Sequence, residues 1–292
     1  MVRTFIAYAK FNLYLAILGR RPDGFHELDT RLQSIDLADR LECEVTGGPD
    51  LEIDCAAPEV PSGKENLVYQ ALARLRTRAG ERRGMRVVIE KGIPPQAGLG
   101  GGSADAGCAL CAANELWGLG WSPPDLEQLA GEIGSDVPFF IRGGAQRCRG
   151  RGERTEPVPC LPPSTWAIVK PPWGLATSAV YARVRSGLTS PGPESRMLLG
   201  NIAKRDLSSV LRAMFNDLEP AAMAIRPEAG EIKAWMLGLG MAGVVLAGSG
   251  SAWVGLCPDP DVAVRARREA GARGWTVFLA APVPRGWIET NR

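Results

Sequence analysis

The sequence predicts an α+β fold in two domains, and three observations lead to that prediction. Its 292 residues are enough for two domains of about 150 residues each. Segments with the two-residue alternation of strands and segments with helical spacing follow one another in irregular order, without an internal repeat. The stretch GRGERTEPVPCLPP, residues 150–163, is rich in glycine and proline, as is typical of a domain boundary. We therefore predict an N-terminal domain over 1–155 and a C-terminal domain over 156–292.

The N-terminal domain is predicted to begin with strands. The first starts near Thr4, because Leu13, Leu15 and Ile17 alternate with other residues. The charge of Lys10 interrupts the apolar run that a secretion signal would need, so this segment belongs to the fold. Further strands are predicted at residues 31–37, 40–46, 51–54 and 85–91.

Helices are predicted between and after these strands. Residues 65–80, ENLVYQALARLRTRAG, carry an apolar stripe with helical spacing and end in a glycine. A helix of small residues covers 103 to about 117, and another begins after Ser122, a favourable N-cap residue. Residues 134–144, GSDVPFFIRGG, are predicted to form a loop that leads into a strand.

The C-terminal half alternates between strands and helices. Predicted strands lie at residues 166–170, on both sides of a glycine turn within 243–256, and at 275–280, where the last strand closes the chain. Predicted helices lie near 178–185, within 206–238 and at 261–272.

Composition and charge exclude several classes of function. The net charge of +2 argues against nucleic acid or an anionic membrane as a partner. The uncharged stretch 234–258 is broken by glycines and a proline, so it favours short buried strands over a transmembrane helix. His26 is the single histidine, and Cys108 and Cys111 form one C-x-x-C without a second pair. We therefore predict buried free cysteines in a cytoplasmic protein rather than a metal or redox site.

The richest motif is PPQAGLGGGSADAG, residues 94–107. Its glycines leave room for backbone N–H groups to approach an anion, and Ser103 opens a helix whose N-terminus favours negative charge. A phosphate site and a plain strand-to-helix turn fit these residues equally well. The lysine of a Walker A loop is missing, and the loop follows several strands rather than the first strand of a dinucleotide-binding unit.

A second unusual feature is a lysine in an apolar strand. Lys10 lies within TFIAYAKFNLYLAIL, where a buried ammonium group is costly unless a partner stabilises it. The residues alone leave two explanations open, a structural ion pair and a catalytic one.

Three segments together resemble the signature motifs of the GHMP kinase superfamily, in order and in spacing. They are AYAKFNLYLAILGRRPDGFHEL, PPQAGLGGGSADAG and LAGSGSAWVGL. The resemblance covers nearly the whole chain. It implies an N-terminal domain like domain 2 of ribosomal protein S5, a ferredoxin-like C-terminal domain, and a cleft between them that binds ATP with Mg²⁺. The first segment is most similar to kinases whose small-molecule substrate is a cytidylated methylerythritol, phosphorylated at its 2-hydroxyl.

The resemblance also implies roles for individual residues. Lys10 and Asp136 would form the catalytic pair, and no protein side chain is identified as a metal ligand. The residues implied in nucleotide binding are Pro95, Ala97, Gly98, Leu99, Gly100, Gly101, Gly102, Ser103, Ala104, Asn66 and Lys91. The residues implied in substrate binding are Asn12, Phe25, His26, Asp136, Gly248 and Ser249.

The chain departs from the family pattern at four positions. Phe25 replaces a tyrosine, which keeps the ring for stacking and loses the hydroxyl. Gln96 stands where a glycine is frequent, and Ala104 and Ala247 replace frequent serines.

Two other functions remain as alternatives: a GHMP kinase for another small alcohol, such as mevalonate, homoserine or a sugar, and a non-catalytic binding protein of the same fold. A binding protein would be expected to lose the lysine–aspartate pair. We expect a monomer or a weak dimer.

Overall fold

The computed structural model describes residues 1–184 and 206–290. The strands are β1 (Arg3–Arg20), β2 (His26–Thr46), β3 (Leu51–Cys55), β4 (Gly84–Glu90), β5 (Ala145–Gly150), β6 (Arg154–Pro157), β7 (Trp166–Lys170), β8 (Phe215–Asn216), β9 (Ala242–Leu246), β10 (Trp253–Leu256), β11 (Thr276–Ala280) and β12 (Trp287–Thr290). The helices are α1 (Leu67–Ala79), α2 (Gly101–Leu116), α3 (Pro123–Ala130), α4 (Val137–Arg142), α5 (Thr177–Tyr181), α6 (Leu207–Arg212), α7 (Glu219–Ile225), α8 (Glu228–Gly238) and α9 (Pro260–Ala272).

A long antiparallel hairpin of β1 and β2 organises the larger sheet. Its main strand order is β12-β1-β2-β4-β3, while β5 pairs with β2 and carries β6 at its outer edge. In the hairpin Lys10 lies opposite Ser34, and Asn12 lies opposite Leu32. Short strand β8 pairs in parallel with β1. Strand β1 therefore connects the large sheet to segments from both halves of the chain.

The smaller sheet has the order β11-β7-β10-β9, and all its pairs are antiparallel. Helices α8 and α9 pack beside it, with Ile232, Met236 and Ala266 among the buried side chains. The chain then returns to the larger sheet, where Ile288 of β12 lies opposite Ile6 of β1. The division into 1–155 and 156–292 stays a prediction.

Local signals determine the helices that the sequence predicted. Asn66 caps α1 by accepting a hydrogen bond from the N–H of Val68 at 2.8 Å, and Gly80 ends the helix with φ +65°. Ser122 and Asp125 form a capping box at the start of α3. These helix ends are confirmed.

Three predictions about elements were wrong. Residues 134–144 were expected as a loop, but Val137–Arg142 form α4, whose first five residues are buried against the N-terminal core. A uniformly apolar segment has no periodicity from which a helix can be read. Segments 31–37 and 40–46 belong to one strand, β2, with an irregular register near Tyr8. Strand β11 does not close the chain, because β12 follows it.

Within the described ranges, no helix combines the length and the apolar character that crossing a bilayer requires. Part of the uncharged stretch 234–258 lies in α8, and the rest forms β9, a glycine turn and β10.

Close packing between α2 and α4 gives a test of the fold. A Cβ on Gly107 of α2 would lie 2.7 Å from Cβ of Phe140, whereas a Cβ on Gly271 of α9 would meet nothing within 4 Å. We expect Gly107→Ala to lower the free energy of unfolding by about 1–3 kcal/mol through overpacking. Gly271→Ala, the matched control, should leave it unchanged or raise it by about 0.5–1 kcal/mol. Urea unfolding of both variants measures the difference, and equal effects would contradict this packing.

Candidate active site

Two glycine-rich turns meet at the centre of the molecule. One is the loop before α2, and the other connects β9 to β10. A Cβ on Gly98 would lie 1.8 Å from the carbonyl oxygen of Ala247, so only glycine allows this approach. The N–H of Ser251 donates to the carbonyl of Gln96 at 3.1 Å, and the N–H of Ala252 donates to Ala97 at 3.2 Å. The two turns are therefore joined through backbone atoms.

The first turn of α2 has the features of an anion site. Its N-cap residue Gly100 has φ +77° and supplies no side-chain hydrogen bond to the N–H groups that follow. The first bond within the helix is donated by Ala104 to Gly100. The preceding N–H groups, together with the hydroxyl of Ser103 and the helix dipole, can therefore bind a phosphate.

Lys10 lies beneath this loop, 3% exposed. Its ammonium group donates to Oδ1 of Asn12 at 3.0 Å and lies 3.6 Å from Oδ2 of Asp136. Its backbone N–H donates to the carbonyl of Leu99 at 3.0 Å. The predicted partner of Lys10 is present, and Asn12 is a second, closer one.

Asp136 presents its carboxylate at the surface of the site. It precedes the first residue of α4, makes no side-chain cap to that helix, and its side chain is 40% exposed. The turn after β5 lies beside it, because a Cβ on Gly152 would be 3.6 Å from Oδ1 of Asp136. One side of the carboxylate thus faces Lys10, and enough of it is accessible to accept a proton from a bound hydroxyl.

Asn12 connects the lysine to the second glycine turn. Its Oδ1 accepts hydrogen bonds from Lys10 and from the N–H of Gly248, at 3.1 Å, and its Nδ2 donates to the hydroxyl of Thr30 at 2.8 Å. These bonds occupy most of the amide. A contact between Asn12 and substrate stays a prediction.

The hairpin end carries Phe25 and His26. The Phe25 ring is 49% exposed, and the guanidinium of Arg151 lies 4.9 Å from its centroid. The His26 ring lies 5.2 Å from the ring of Tyr181 in α5. Burial, with a smaller contribution from the charge of Arg20, lowers the pKa of His26 below its ordinary value of 6.5, so the imidazole is neutral at pH 7.

The second glycine turn is held from behind by a side chain that the sequence analysis did not assign. Asn216 donates through Nδ2 to the carbonyls of Leu246 and Gly248, at 2.9 and 2.7 Å. The hydroxyl of Ser249 lies 2.9 Å from that of Thr177, at the start of α5. Gly248 lies next to Lys10, since a Cβ on Gly248 would be 3.2 Å from Nζ of Lys10, and Ser249 is held by Thr177.

Comparison with known proteins agrees with this geometry. Residues 66–144 match the N-terminal domain of GHMP kinases, and residues 198–274 match the GHMP kinase C-terminal domain. A 4-diphosphocytidyl-2-C-methyl-D-erythritol kinase of Pelotomaculum thermopropionicum is 44% identical over 272 residues, which are 92% of this chain and 95% of the relative. One from Moorella thermoacetica is 41% identical, covering 90% and 93%. The chain belongs to the 4-diphosphocytidyl-2-C-methyl-D-erythritol kinase family of GHMP kinases.

Solved structures separate the fold of this family from its substrate. A crystal structure of 4-(cytidine 5'-diphospho)-2C-methyl-D-erythritol kinase matches with a TM-score of 0.79 at 36% identity, covering 97% of this chain and 99% of that one. Homoserine kinase from Cytophaga hutchinsonii matches with a TM-score of 0.81 at 18% identity, covering 99% and 97%. The second likeness shows the fold alone. The predicted α+β GHMP kinase fold is confirmed.

Two residues that the family resemblance assigns to the nucleotide have partners within the protein. Both ends of the Asn66 amide are used, by the N–H of Val68 and by the carbonyl of Pro61, each at 2.8 Å. Lys91 lies between Asp39 and Asp105, at 2.5 and 2.7 Å. Their contacts with a nucleotide stay predictions.

Three of the four departures from the family pattern lie around the contact between the two glycine-rich turns. Gln96 has φ +50°, a conformation that glycine adopts more readily. The Gln96 side chain packs against Gly174, because a Cβ on Gly174 would lie 2.2 Å from Oε1 of Gln96. Ala104 is fully buried, which leaves Ser103 as the hydroxyl of this turn. Ala247 contributes its carbonyl to the contact with Gly98, so that contact does not require a serine.

Several site residues had weak signals in the sequence. The segment SAVY contained Tyr181, the turn GRGE contained Arg151, and NDLEP contained Asn216. No role was predicted for these three residues, and only the tertiary structure shows which residue each one contacts.

The contact between the two turns predicts the effect of one added methyl group. Gly98 and Gly80 both have left-handed backbones, with φ of +75° and +65°, but only Gly98 has an atom in the way of a Cβ. Gly98→Ala should force the turns apart and reduce ATP-dependent phosphoryl transfer by about 10²-fold, the usual effect of a displacement near 1 Å. Gly80→Ala should cost about 1–2 kcal/mol of stability through backbone strain and keep its activity. Steady-state kinetics with urea unfolding measures both. A fully active Gly98→Ala enzyme would contradict the contact.

Proposed function

We infer that this chain is an ATP-dependent kinase that phosphorylates the 2-hydroxyl of 4-diphosphocytidyl-2-C-methyl-D-erythritol, a step in isoprenoid precursor synthesis by the non-mevalonate pathway. The observation that carries this conclusion is 44% identity across 92% of the chain to a kinase of that name. The placement of Lys10 and Asp136 beside the glycine loop supports it at the level of chemistry.

The arrangement supports direct transfer from ATP to the alcohol. Asp136 would accept the proton of the substrate hydroxyl while the hydroxyl oxygen bonds to the γ-phosphorus. The bond between that phosphorus and the β,γ-bridging oxygen breaks at the same time, and ADP leaves. Lys10 would orient the Asp136 carboxylate through their ion pair and stabilise negative charge near the transferred group. The N–H groups at the start of α2 would hold the phosphates in place.

We propose that Mg²⁺ takes part together with the nucleotide. Over residues 1–184 and 206–290, no three His, Cys, Asp or Glu side chains are grouped so that they could hold a metal. Mg²⁺ commonly binds through one or two protein oxygens and the substrate phosphates, so such a group is not required. The hydroxyl of Ser103, in the first turn of α2, is the protein oxygen that we propose for it. When bound, the ion neutralises phosphate charge.

We propose that the hairpin end recognises cytosine. Phe25 offers an exposed aromatic face, and neutral His26 offers one donor and one acceptor to a base edge. Tyr181 adds a third ring beside His26. Substrates such as mevalonate or homoserine have no base to stack, so these rings favour the cytidylated substrate over another small alcohol.

A non-catalytic binding protein is the less supported alternative. Lys10 and Asp136 are both present and close together, and the glycine loop has an uncapped helix terminus next to them. A protein that only binds would not need a desolvated lysine beside an accessible carboxylate.

We also propose a cytoplasmic location and a monomeric or weakly dimeric state. All seven cysteines are free thiols, as is usual for a protein of a reducing compartment. The oligomeric state can be measured by light scattering during gel filtration.

The substrate assignment predicts dependence on the cytidine group. We expect turnover of the cytidylated alcohol with ATP and loss of turnover with methylerythritol 4-phosphate, because the truncated alcohol cannot contact the hairpin end. Release of ADP measures the rate, and phosphorus NMR identifies the product. Mevalonate and homoserine serve as controls for the alternative substrates. Equal efficiency on the truncated alcohol would refute cytosine recognition.

The catalytic pair predicts a non-additive loss of activity. Asp136→Asn keeps the side-chain volume but removes the general base, so kcat should fall by about 10²–10⁴-fold with little change in substrate binding. Lys10→Met should also lose activity and some stability, because it removes the cation that pairs with Asp136. The double variant should be scarcely slower than the slower single one.

Kinetics and a thermal melt for the three variants test this prediction. If both single variants keep near-normal kcat and only their melting temperatures fall, Lys10 has a structural role.

A further inference from the structure

A buried cluster of three ionisable residues, Asp39, Lys91 and Asp105, lies under the glycine loop. Lys91, at the end of β4, donates to Oδ2 of Asp39 at 2.5 Å and to Oδ2 of Asp105 at 2.7 Å. Both carboxylates are almost completely buried. Asp105 lies one turn into α2, directly after the glycine loop. The cluster therefore ties three separate elements together at the entrance to that helix.

Asp39 also binds the backbone that leads into the loop. Its Oδ1 accepts hydrogen bonds from the N–H groups of Gly92 and Ile93, at 2.7 and 2.8 Å. With its bond to Lys91, a single carboxylate fixes three consecutive residues. These residues join β4 to the loop, so their position sets where the loop begins.

The same residues form the surface on which the loop rests. A Cβ on Gly101 would lie 3.1 Å from Cγ2 of Ile93 and 3.3 Å from Nζ of Lys91. Gly101 is the first residue of α2, whose N–H groups face the proposed phosphate site. A shift of Lys91 or Ile93 would therefore be transmitted directly to the groups that hold the nucleotide.

Burying these polar and ionisable groups is costly for a purely structural contact. Two carboxylates share one ammonium group, and Oδ1 of Asp105 is buried without a hydrogen-bond partner. Burial, opposed by Lys91 and reinforced by Asp39, raises the pKa of Asp105 to about 8. An apolar contact would connect β4 to α2 at lower cost.

We propose that Asp39 is a positioning residue for the nucleotide site: it does not touch ATP, but it holds Lys91–Ile93 so that the first turn of α2 is aligned for the phosphates. The proposal rests on the inferred kinase function and concerns ATP, not the alcohol.

Asp39→Asn tests the proposal. An amide cannot accept from Gly92, Ile93 and Lys91 at once, because one of its two ends is a donor. We expect the Kd and KM for ATP to rise about 10-fold or more, as loss of a buried charge-assisted bond implies. The KM for the alcohol, and kcat at saturating ATP, should change by less than about twofold, since the acceptor side is untouched.

Asp29→Asn is the matched control. Asp29 is equally buried on the same strand and accepts from the hydroxyl of Tyr14 and the guanidinium of Arg147, both at 2.9 Å. Asp29→Asn should lower the melting temperature by about as much as Asp39→Asn, but it should leave the Kd for ATP unchanged. If Asp29→Asn raises the Kd equally, or if Asp39→Asn does not raise it, the proposal is wrong.

A second variant at Lys91 tests whether the residues act as a unit. The double variant Asp39→Asn with Lys91→Met should bind ATP no more weakly than the weaker single variant, and fully additive losses would overturn the proposal. If Asp39→Asn does not fold, Asp39→Glu takes its place, because the longer side chain keeps the charge but cannot make all three bonds.

Calorimetric titration with ATP in the absence of any alcohol supplies the Kd. If the alcohol substrate is assigned wrongly, the turnover assays will fail, but the Kd for ATP can still be compared between variants. Absence of ATP binding by the wild-type chain would refute both proposals.

Discussion

The rest of the site depends on a hydrogen-bonded junction at Asn12. Its side-chain oxygen accepts from the ammonium of Lys10 and from the backbone N–H of Gly248, so one amide links strand β1 to the turn between β9 and β10. A buried ammonium group requires such partners, since burial without them would favour the neutral amine. Lys10, which supplies the positive charge, is thus connected through Asn12 to the turn from the C-terminal half of the chain.

Backbone atoms rather than side chains form most of the contact between the two glycine-rich turns. The loop before α2 and the turn after β9 approach so closely that side chains would collide, as at Gly98 and Ala247. Glycine removes the Cβ and leaves N–H groups that can face a phosphate. The same residues therefore allow close packing and, in the function that we propose, phosphate binding, which is consistent with the many glycines in both motifs.

The shared fold and the proposed substrate contacts involve different parts of the chain. The backbone superposes on a homoserine kinase that is only 18% identical, so the two sheets and the glycine turns do not specify the alcohol. The hairpin end carries Phe25 and His26, with Arg151 against the first ring and Tyr181 against the second. The proposed cytosine contacts are therefore separate from the glycine turns that we propose for the phosphates.

Many local elements and the main motifs could be predicted from the amino-acid sequence alone. Helices α1 and α3 were predicted because caps such as Asn66 and Ser122 act within a few residues of their own position. The glycine loop and Lys10 could also be recognised, because each stands out within a short contiguous stretch of sequence. Helix α4 was missed, because uniform burial erases the pattern that marks a helix.

Which distant residues contact one another became known from the three-dimensional arrangement of the elements. Asp39 and Asp105 come together at Lys91 from positions far apart in sequence, and Tyr181 reaches His26 across the boundary between the predicted domains. Such contacts depend on strand register and on the packing of whole elements, and no local periodicity or capping signal encodes them.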